Sequence, residues 1–327
     1  QLSNGECQRL VLSSLLAINP DVLLLDEPTA FLDPTARKDF YQWLHSHKGS
    51  QTIILVDHHL RETLPLADKV LHVSREGEIS EISKEKVEER SNGKQQSFHL
   101  PAKTLPIQAR NQIKICAKNI CFRFDKKTPL LENISLQSNS DDIVIVKGKN
   151  GSGKSTLFKI LAGLTLPDQG KIDYFRDQAL IPNKKSYKDF GFVFQNPESH
   201  FFYDTIQEEL KQISSSQTAQ LQPLLDVFLK NIDLNMSPFQ LSEGEKRRLS
   251  ILMTALHDKQ ILFYDEPTFG QDPSSIETIR KLILHFQSMG KIQFIISHDE
   301  SFYSALNARI YEIENGQLKH MNACEQS

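Results

Sequence analysis

Short aliphatic runs punctuate this chain, and helical spacing fills the stretches behind several of them. Val22–Leu25, Thr52–Val56, Ile143–Val146, Phe190–Phe194, Ile261–Tyr264 and Gln293–Ile296 are rich in β-branched or aliphatic side chains. Short apolar runs bounded by polar residues predict buried strands. Gly153–Leu164, Gly244–Leu256 and Pro273–Ser288 place apolar residues at helical spacing behind suitable start signals. Strands alternating with helices predict an α/β fold with a parallel, doubly wound sheet. No apolar run approaches the roughly 20 residues that a membrane-spanning helix needs.

The pattern repeats along the chain. Gln1-Leu2-Ser3-Asn4-Gly5-Glu6 reads like Gln240-Leu241-Ser242-Glu243-Gly244-Glu245, an offset of 239. At the same offset Leu25-Asp26-Glu27-Pro28-Thr29 meets Tyr264-Asp265-Glu266-Pro267-Thr268, and Asp33-Pro34 meets Asp272-Pro273. Val56-Asp57-His58 meets Ile296-Ser297-His298 one residue later, at 240. Landmarks recurring in one order are the mark of an internal duplication. The second copy has roughly 130 residues of the same unit before its Q-L-S motif, and the first has none. The chain starts inside that motif without Met or leader, so the expectation is a first copy missing its N-terminal part.

Between the copies the character changes. From Arg75 to Lys94 eleven of twenty residues are charged, five positive and six negative, which predicts a solvated surface. Gln95 to Gln112 is polar and carries the helix breakers Pro101 and Pro106. The expected division is 1–81 for the back part of the first domain, 82–111 for a linker and 112–327 for a complete second domain. Lys and Arg total 38 against 41 Asp and Glu, a net charge of −3. This balance argues against a nucleic-acid binder held by phosphate contacts. The four cysteines, Cys7, Cys116, Cys121 and Cys324, form no C-x-x-C pair. They read as reduced thiols rather than a metal site or disulfide framework.

Gly148-Lys149-Asn150-Gly151-Ser152-Gly153-Lys154-Ser155 fits G-x-x-x-x-G-K-[ST], behind the strand Ile143–Val146 and ahead of an apolar helix. Glycines let backbone N–H groups converge on phosphate oxygens, and the helix N-terminus adds a favourable dipole. Lys154 is expected to reach the β- and γ-phosphates, and the Ser155 hydroxyl to coordinate Mg²⁺. Ile261–Tyr264 runs into Asp265 and Glu266, two carboxylates at a strand end, where parallel sheets bind ligands. Asp265 suits Mg²⁺, and Glu266 suits polarisation of an attacking water. Asp26 and Glu27 stand equivalently in the first copy.

L-S-x-G-E before a basic helix, then an aliphatic run into D-E-P-T, then D-P, then an apolar pair and His, resembles the nucleotide-binding domain of ATP-binding-cassette (ABC) ATPases. The resemblance spans nearly the whole chain outside the linker. It implies a P-loop NTPase with a mainly parallel sheet, a small antiparallel β subdomain, a helical subdomain and a tandem repeat whose first copy is incomplete. It also implies roles for further residues. Gln195 matches the glutamine that touches Mg²⁺ and water. His298 matches the histidine that contacts the γ-phosphate, and Asp272 the aspartate of the loop crossing the dimer interface. Phe124 matches the aromatic that stacks on adenine, with core packing as the alternative. The phosphate loop, Gly148 through Thr156, binds ATP.

In the family two cassettes meet head to tail, with ATP between the phosphate loop of one and the signature of the other. Ser3, Asn4, Gly5 and Asp33 would therefore face Gly148–Thr156, Gln195, Asp265, Glu266 and His298. Asp26, Glu27, His58, Ser242 and Gly244 would serve a reciprocal site. Val193-Phe194-Gln195-Asn196-Pro197-Glu198 with Leu241-Ser242-Glu243-Gly244-Glu245-Lys246-Arg247-Arg248 is similar to energy-coupling-factor ATPases, which power bacterial uptake of vitamins and transition-metal ions. The resemblance implies ATP hydrolysis with Mg²⁺ and a peripheral position on the cytoplasmic face of the membrane. The implied partners are membrane-embedded transporter subunits, with a substrate-binding subunit as a further candidate and a cassette–cassette dimer within or between chains. No nucleic-acid partner is expected. The competing reading is a soluble tandem ABC ATPase acting on ribosomes or DNA, whose joining segment is typically long, basic and helical. Departures from the family pattern are Asn4 and Glu243 where Gly is commoner, Glu6 and Glu245 where Gln is commoner, and Gln271 where Leu is common. Asp57 and His59 flank His58, where Ser and Asp flank His298.

Overall fold

The structure is a computed structural model. It describes residues 10, 11, 13, 14, 18, 20–29, 32, 34–47, 51–57, 60–74, 77–87, 112–124, 128–182, 187–213, 224–226, 228–229, 232–257 and 259–321. The chain divides into two compact units, Gln1–Lys103 and Thr104–Ser327.

In the first unit β1 (Val22–Asp26) and β2 (Thr52–Val56) pair in parallel, joined through helix α1 (Pro34–Ser46). Leu23 and Leu25 point inward onto Phe40, Tyr41 and Leu44 of α1. Val22, Leu24, Ile54 and Val56 point the other way, and each is more than half exposed. The expectation of fully buried strands is therefore corrected here. Only one face of this strand pair is covered among the described residues. A short helix α2 (Leu60–Thr63) and a hairpin, β3 (Val70–Val73) with β4 (Ile79–Ile82), follow, and in the helical turn 84–87 Val87 is buried.

The second unit is built on two sheets. Strands β5 (Ile113–Arg123), β6 (Pro129–Asn139), β8 (Gln169–Arg176) and β9 (Ala179–Ile181) form an antiparallel sheet in the order β6-β5-β8-β9. The larger sheet has the order β10-β11-β12-β7-β13-β14, comprising Phe190–Val193, Ile261–Asp265, Ile292–Ile296, Ile143–Lys147, Arg309–Glu314 and Gln317–Met321. Its first five strands are parallel and β14 closes one edge as a hairpin. Asn315-Gly316 turns that hairpin with positive φ at both residues, the conformation such two-residue turns require.

β7, β11 and β12 are almost wholly buried, as strands covered on both faces should be. Helix α3 (Lys154–Leu161) packs Leu157, Phe158, Ile160 and Leu161 into one core with both sheets. Phe158 meets Phe263 and Phe294 edge-on, at ring separations of 5.5 and 6.1 Å. Two further helices, α5 (Glu243–Leu256) and α6 (Pro273–Ser288), carry the segments before and after β11, and a short helix α4 (Ile206–Lys211) lies between β10 and α5. No helix among the described residues is long and apolar enough to cross a membrane.

Candidate functional site

Four parallel strands deliver the site residues to one edge. The register pairs Val193 with Tyr264, Asp265 with Ile296, and Ile296 with Val146. Gln195, Asp265–Glu266, His298 and the Gly148 loop therefore all leave the same ends of adjacent strands.

The loop from Gly148 to Gly153 needs its glycines. Gly148 has φ of +146°, and a Cβ there would stand 2.6 Å from the Ile313 carbonyl oxygen. Gly153 has φ of +101°, and its Cβ would stand 2.9 Å from Leu131. Helix α3 starts immediately after it. Lys154 is buried, and its Nζ donates to the carbonyls of Gly148 at 2.7 Å and Lys149 at 3.0 Å. The ammonium thus lies inside the ring of the loop. Leu131, which lies against Gly153, pairs with Phe122 in the antiparallel sheet, and Phe124 follows directly on the end of β5. Phe124 is 78% exposed and meets Phe122 edge to face at 5.2 Å, so core packing does not explain it.

The carboxylates sit at the end of β11. Burial raises the Asp265 carboxyl, while a hydrogen bond from Ser155 and the charges of Lys154, Lys159 and Arg247 oppose that rise. Ser155 and Asp265 are thus already in contact. A hydroxyl and a carboxylate side by side, next to a lysine, fit a hard divalent ion that brings its own phosphate and water ligands. Glu266 has a left-handed backbone with φ of 52°, and its N–H donates to Ile296 O at 3.1 Å. Burial pushes its carboxyl up to about 8, against the charges of Lys154 and Arg247 and a hydrogen bond from the His298 backbone, with Asp265 adding to the rise. His298 Nε2 lies 3.4 Å from Glu266 Oε1.

The signature segment shows what its departures do. Ser242 caps α5, and Glu245 accepts the Ser242 backbone N–H at 2.9 Å and its hydroxyl at 2.7 Å. That is a capping box, which Glu serves as well as Gln. The spacing S-x-x-E was its sequence signal. Gly244 leaves room for the buried Gln271, whose Oε1 would stand 3.0 Å from a Cβ there. Asp272 caps α6 through the N–H groups of Ser274 and Ser275; burial raises its carboxyl, but hydrogen bonds from both serines outweigh this and hold it low. Sequence reasoning did not single out Arg247, which is buried on α5 and donates to the carbonyls of Phe194 and Gln195. Its only trace was the basic run after the signature. Ser3, Asn4, Gly5, Asp33 and His58 lie outside the described residues.

Residues 131–269, which hold the loop, Gln195, the signature and both carboxylates, match the family model "ABC transporter". They form an ABC transporter ATP-binding domain. The ABC family is a family of ATPases, and the P-loop α/β architecture above is its fold. A protein of Clostridium tetani named as an ABC transporter ATP-binding protein is 27% identical over 97% of this chain and 81% of its own length. A Bacillus subtilis protein named for HMP/thiamine import, YkoD, is 29% identical over 93% of this chain. The chain spans only 62% of YkoD. Among solved structures, cbiO1 of Clostridium perfringens, described as part of the ABC transporter complex cbiONQ, shares the fold at a TM-score of 0.54. That match has 22% identity and covers 63% of this chain and 86% of that one.

The backbone of the first unit repeats this strand-end geometry in detail. Glu27 is left-handed with φ of 44°, as Glu266 is at 52°. Glu27 N–H donates to Val56 O at 2.9 Å, as Glu266 N–H does to Ile296 O. Thr52 N–H donates to Asp21 O at 2.9 Å, as Ile292 N–H does to Gln260 O at 2.9 Å. The β1–β2 register, Val22 to Thr52 through Asp26 to Val56, matches that of β11–β12.

Proposed function

We propose that this chain is an ATP-hydrolysing subunit of an ABC importer of the energy-coupling-factor type, carrying parts of two tandem cassettes. The observation that supports it most is the meeting of the Lys154 loop, Ser155–Asp265, Glu266 and His298 at one sheet edge. The names of YkoD and cbiO1 point to import, and the matching geometry of Glu27 and Glu266 supports the tandem reading.

On this reading Lys154, now bonded to the carbonyls of its own loop, meets phosphate oxygens. Phe124 stacks on adenine. Ser155, Asp265 and Gln195 would hold Mg²⁺, which would supply charge screening for the phosphates. In its ionised form, which Lys154 and Arg247 favour against the burial that raises its carboxyl to about 8, Glu266 accepts a proton from the attacking water while His298 contacts the γ-phosphate, and catalysis rests on positioning and charge stabilisation. Ser3, Asn4, Gly5 and Asp33 close the site from the other cassette, with 1–81 and 112–327 as the cassette segments and 82–111 joining them. Membrane-embedded subunits dock on the cytoplasmic side, and the segment after Gln195 is their contact. Here Glu209 is buried and accepts the N–H groups of Phe202 and Tyr203, which holds an exposed aromatic pair at the surface.

Phosphate release from Mg²⁺-ATP by the chain, measured with and without co-expressed membrane subunits, tests the reading. Hydrolysis together with co-purification of an integral membrane protein supports it. Co-sedimentation with ribosomes in place of membrane proteins would favour the soluble tandem ATPase, and binding without any phosphate release would remove the enzymatic claim.

A further inference from the structure

Beyond β10 the chain leaves the ladder, whose last pair with β11 is Val193 with Tyr264. The next two carbonyls, those of Phe194 and Gln195, are taken instead by one side chain. Arg247 is 3% exposed, and its Nη1 donates to Phe194 O at 2.9 Å and its Nη2 to Gln195 O at 2.6 Å. A planar guanidinium matches two consecutive acceptors, which an ammonium does not. Neighbouring contacts hold the same segment. Lys246 reaches Glu198 at 2.5 Å, and the Phe194 N–H donates to His200 Nε2 at 3.0 Å. Burial, with the Arg247 charge, holds His200 down at about 4, so it is a neutral acceptor at pH 7. Burial also lowers Arg247 to about 10, still charged, with Glu243, Asp265 and Glu266 favouring the cation.

Burying a guanidinium is costly unless its N–H groups find well-placed acceptors, and the two loop carbonyls supply them. Its carrier, α5, begins at Ser242 and Gly244, the signature pair. We infer that Arg247 is a positioning residue that clamps the carbonyls of Phe194 and Gln195 to α5, so that the place of Gln195 at the strand-end site depends on the helix that the signature begins. The inference rests on the ATPase reading of that site. Any displacement of α5, such as one produced by an anion docking at its N-terminus, carries Gln195 with it. Two ends of one cassette that belong to different composite sites are thereby linked.

The test compares the chain with Arg247→Met and Arg247→Lys. Titration with the fluorescent analogue mant-ATP counts binding-competent chains, phosphate release gives kcat and KM, and hydrogen exchange reports local opening. Arg247→Met should lower kcat per competent chain by about 10-fold or more while mant-ATP affinity stays within about 3-fold. Arg247→Lys should fall between, since it keeps the charge and at most one bond. Exchange across 194–200 should quicken while that of Ile261–Asp265 is unchanged. An unchanged kcat per competent chain, or exchange rising equally in both segments, would overturn the clamp. If the parent chain releases no phosphate, the ATPase reading fails, and the exchange comparison still decides whether Arg247 holds this segment.

Discussion

Replacing Glu266 with Gln should make the chain more stable and idle. Glu266 is 16% exposed at its side chain and stands at the end of β11, with Lys154, Arg247 and Asp265 as its charged surroundings. Its carboxyl moves from an ordinary 4.5 to about 8, first because of burial. A tenfold change in proton affinity is worth about 1.4 kcal/mol, so the ionised form is disfavoured in the fold by at most about 5 kcal/mol. Residual solvent contact reduces that to roughly 2–4 kcal/mol. In the unfolded chain the group ionises above 4.5, whereas the folded chain keeps the proton up to about 8. The folded state therefore binds more protons across that window, stability declines as pH rises through it, and it levels off above the folded value. Gln removes the penalty. For a unit of this size each kcal/mol moves Tm by roughly 2–4 °C, so the variant should melt about 5–12 °C higher at alkaline pH. At pH values close to 4.5 the gain should nearly vanish. Differential scanning calorimetry of both proteins across pH reads this directly. A variant that melts at or below the parent at alkaline pH, or a gain that does not shrink on acidification, refutes the burial argument. The same variant should bind mant-ATP and release no phosphate; normal hydrolysis would mean that Glu266 is not the base.

Phe124→Ala should weaken mant-ADP binding by about 5- to 100-fold, the range for loss of one base-stacking aromatic. Because Phe124 is exposed, its Tm should stay within about 1 °C of the parent; an unchanged affinity would remove Phe124 from the site. Gly170→Ala should cost at least about 2 kcal/mol in urea unfolding. Gly170 has φ of +89°, and a Cβ would stand 2.5 Å from the Lys118 carbonyl oxygen at the irregularity between β5 and β8. Wild-type stability in that variant would show that the β5–β8 junction yields.

The parallel core was legible because its strands are short, wholly apolar and followed by turn or helix signals, as at Ile143–Lys147 before Gly148. The antiparallel sheet was legible only through the family resemblance. In Ile113–Arg123 the alternation of buried and exposed residues breaks between Ala117 and Phe122, where the register with β6 shifts. A bulge changes the phase of the pattern, and its partners are distant in sequence. The Asn315-Gly316 hairpin does carry a local signal, an Asn-Gly pair between two strands. Val22–Leu25 and Ile261–Tyr264 look alike as strings, yet one is covered on a single face and the other on both. Burial on the second face is supplied by other elements, such as α3, and cannot be read from the strand itself. Arg247 escaped notice for a related reason. Its acceptors are backbone carbonyls 52 and 53 residues away, and carbonyls have no sequence signature.

The outward side of β1–β2 bears on how the molecule must be handled. Val22, Leu24, Ile54 and Val56 keep methyl groups in water, at a cost of about 25 cal/mol for every Å² left wet. Neighbouring molecules in a concentrated sample can relieve that cost by touching there, and warming strengthens the pull. Turbidity on heating should therefore start from the first unit and precede melting of the second, and cold, dilute samples should keep best.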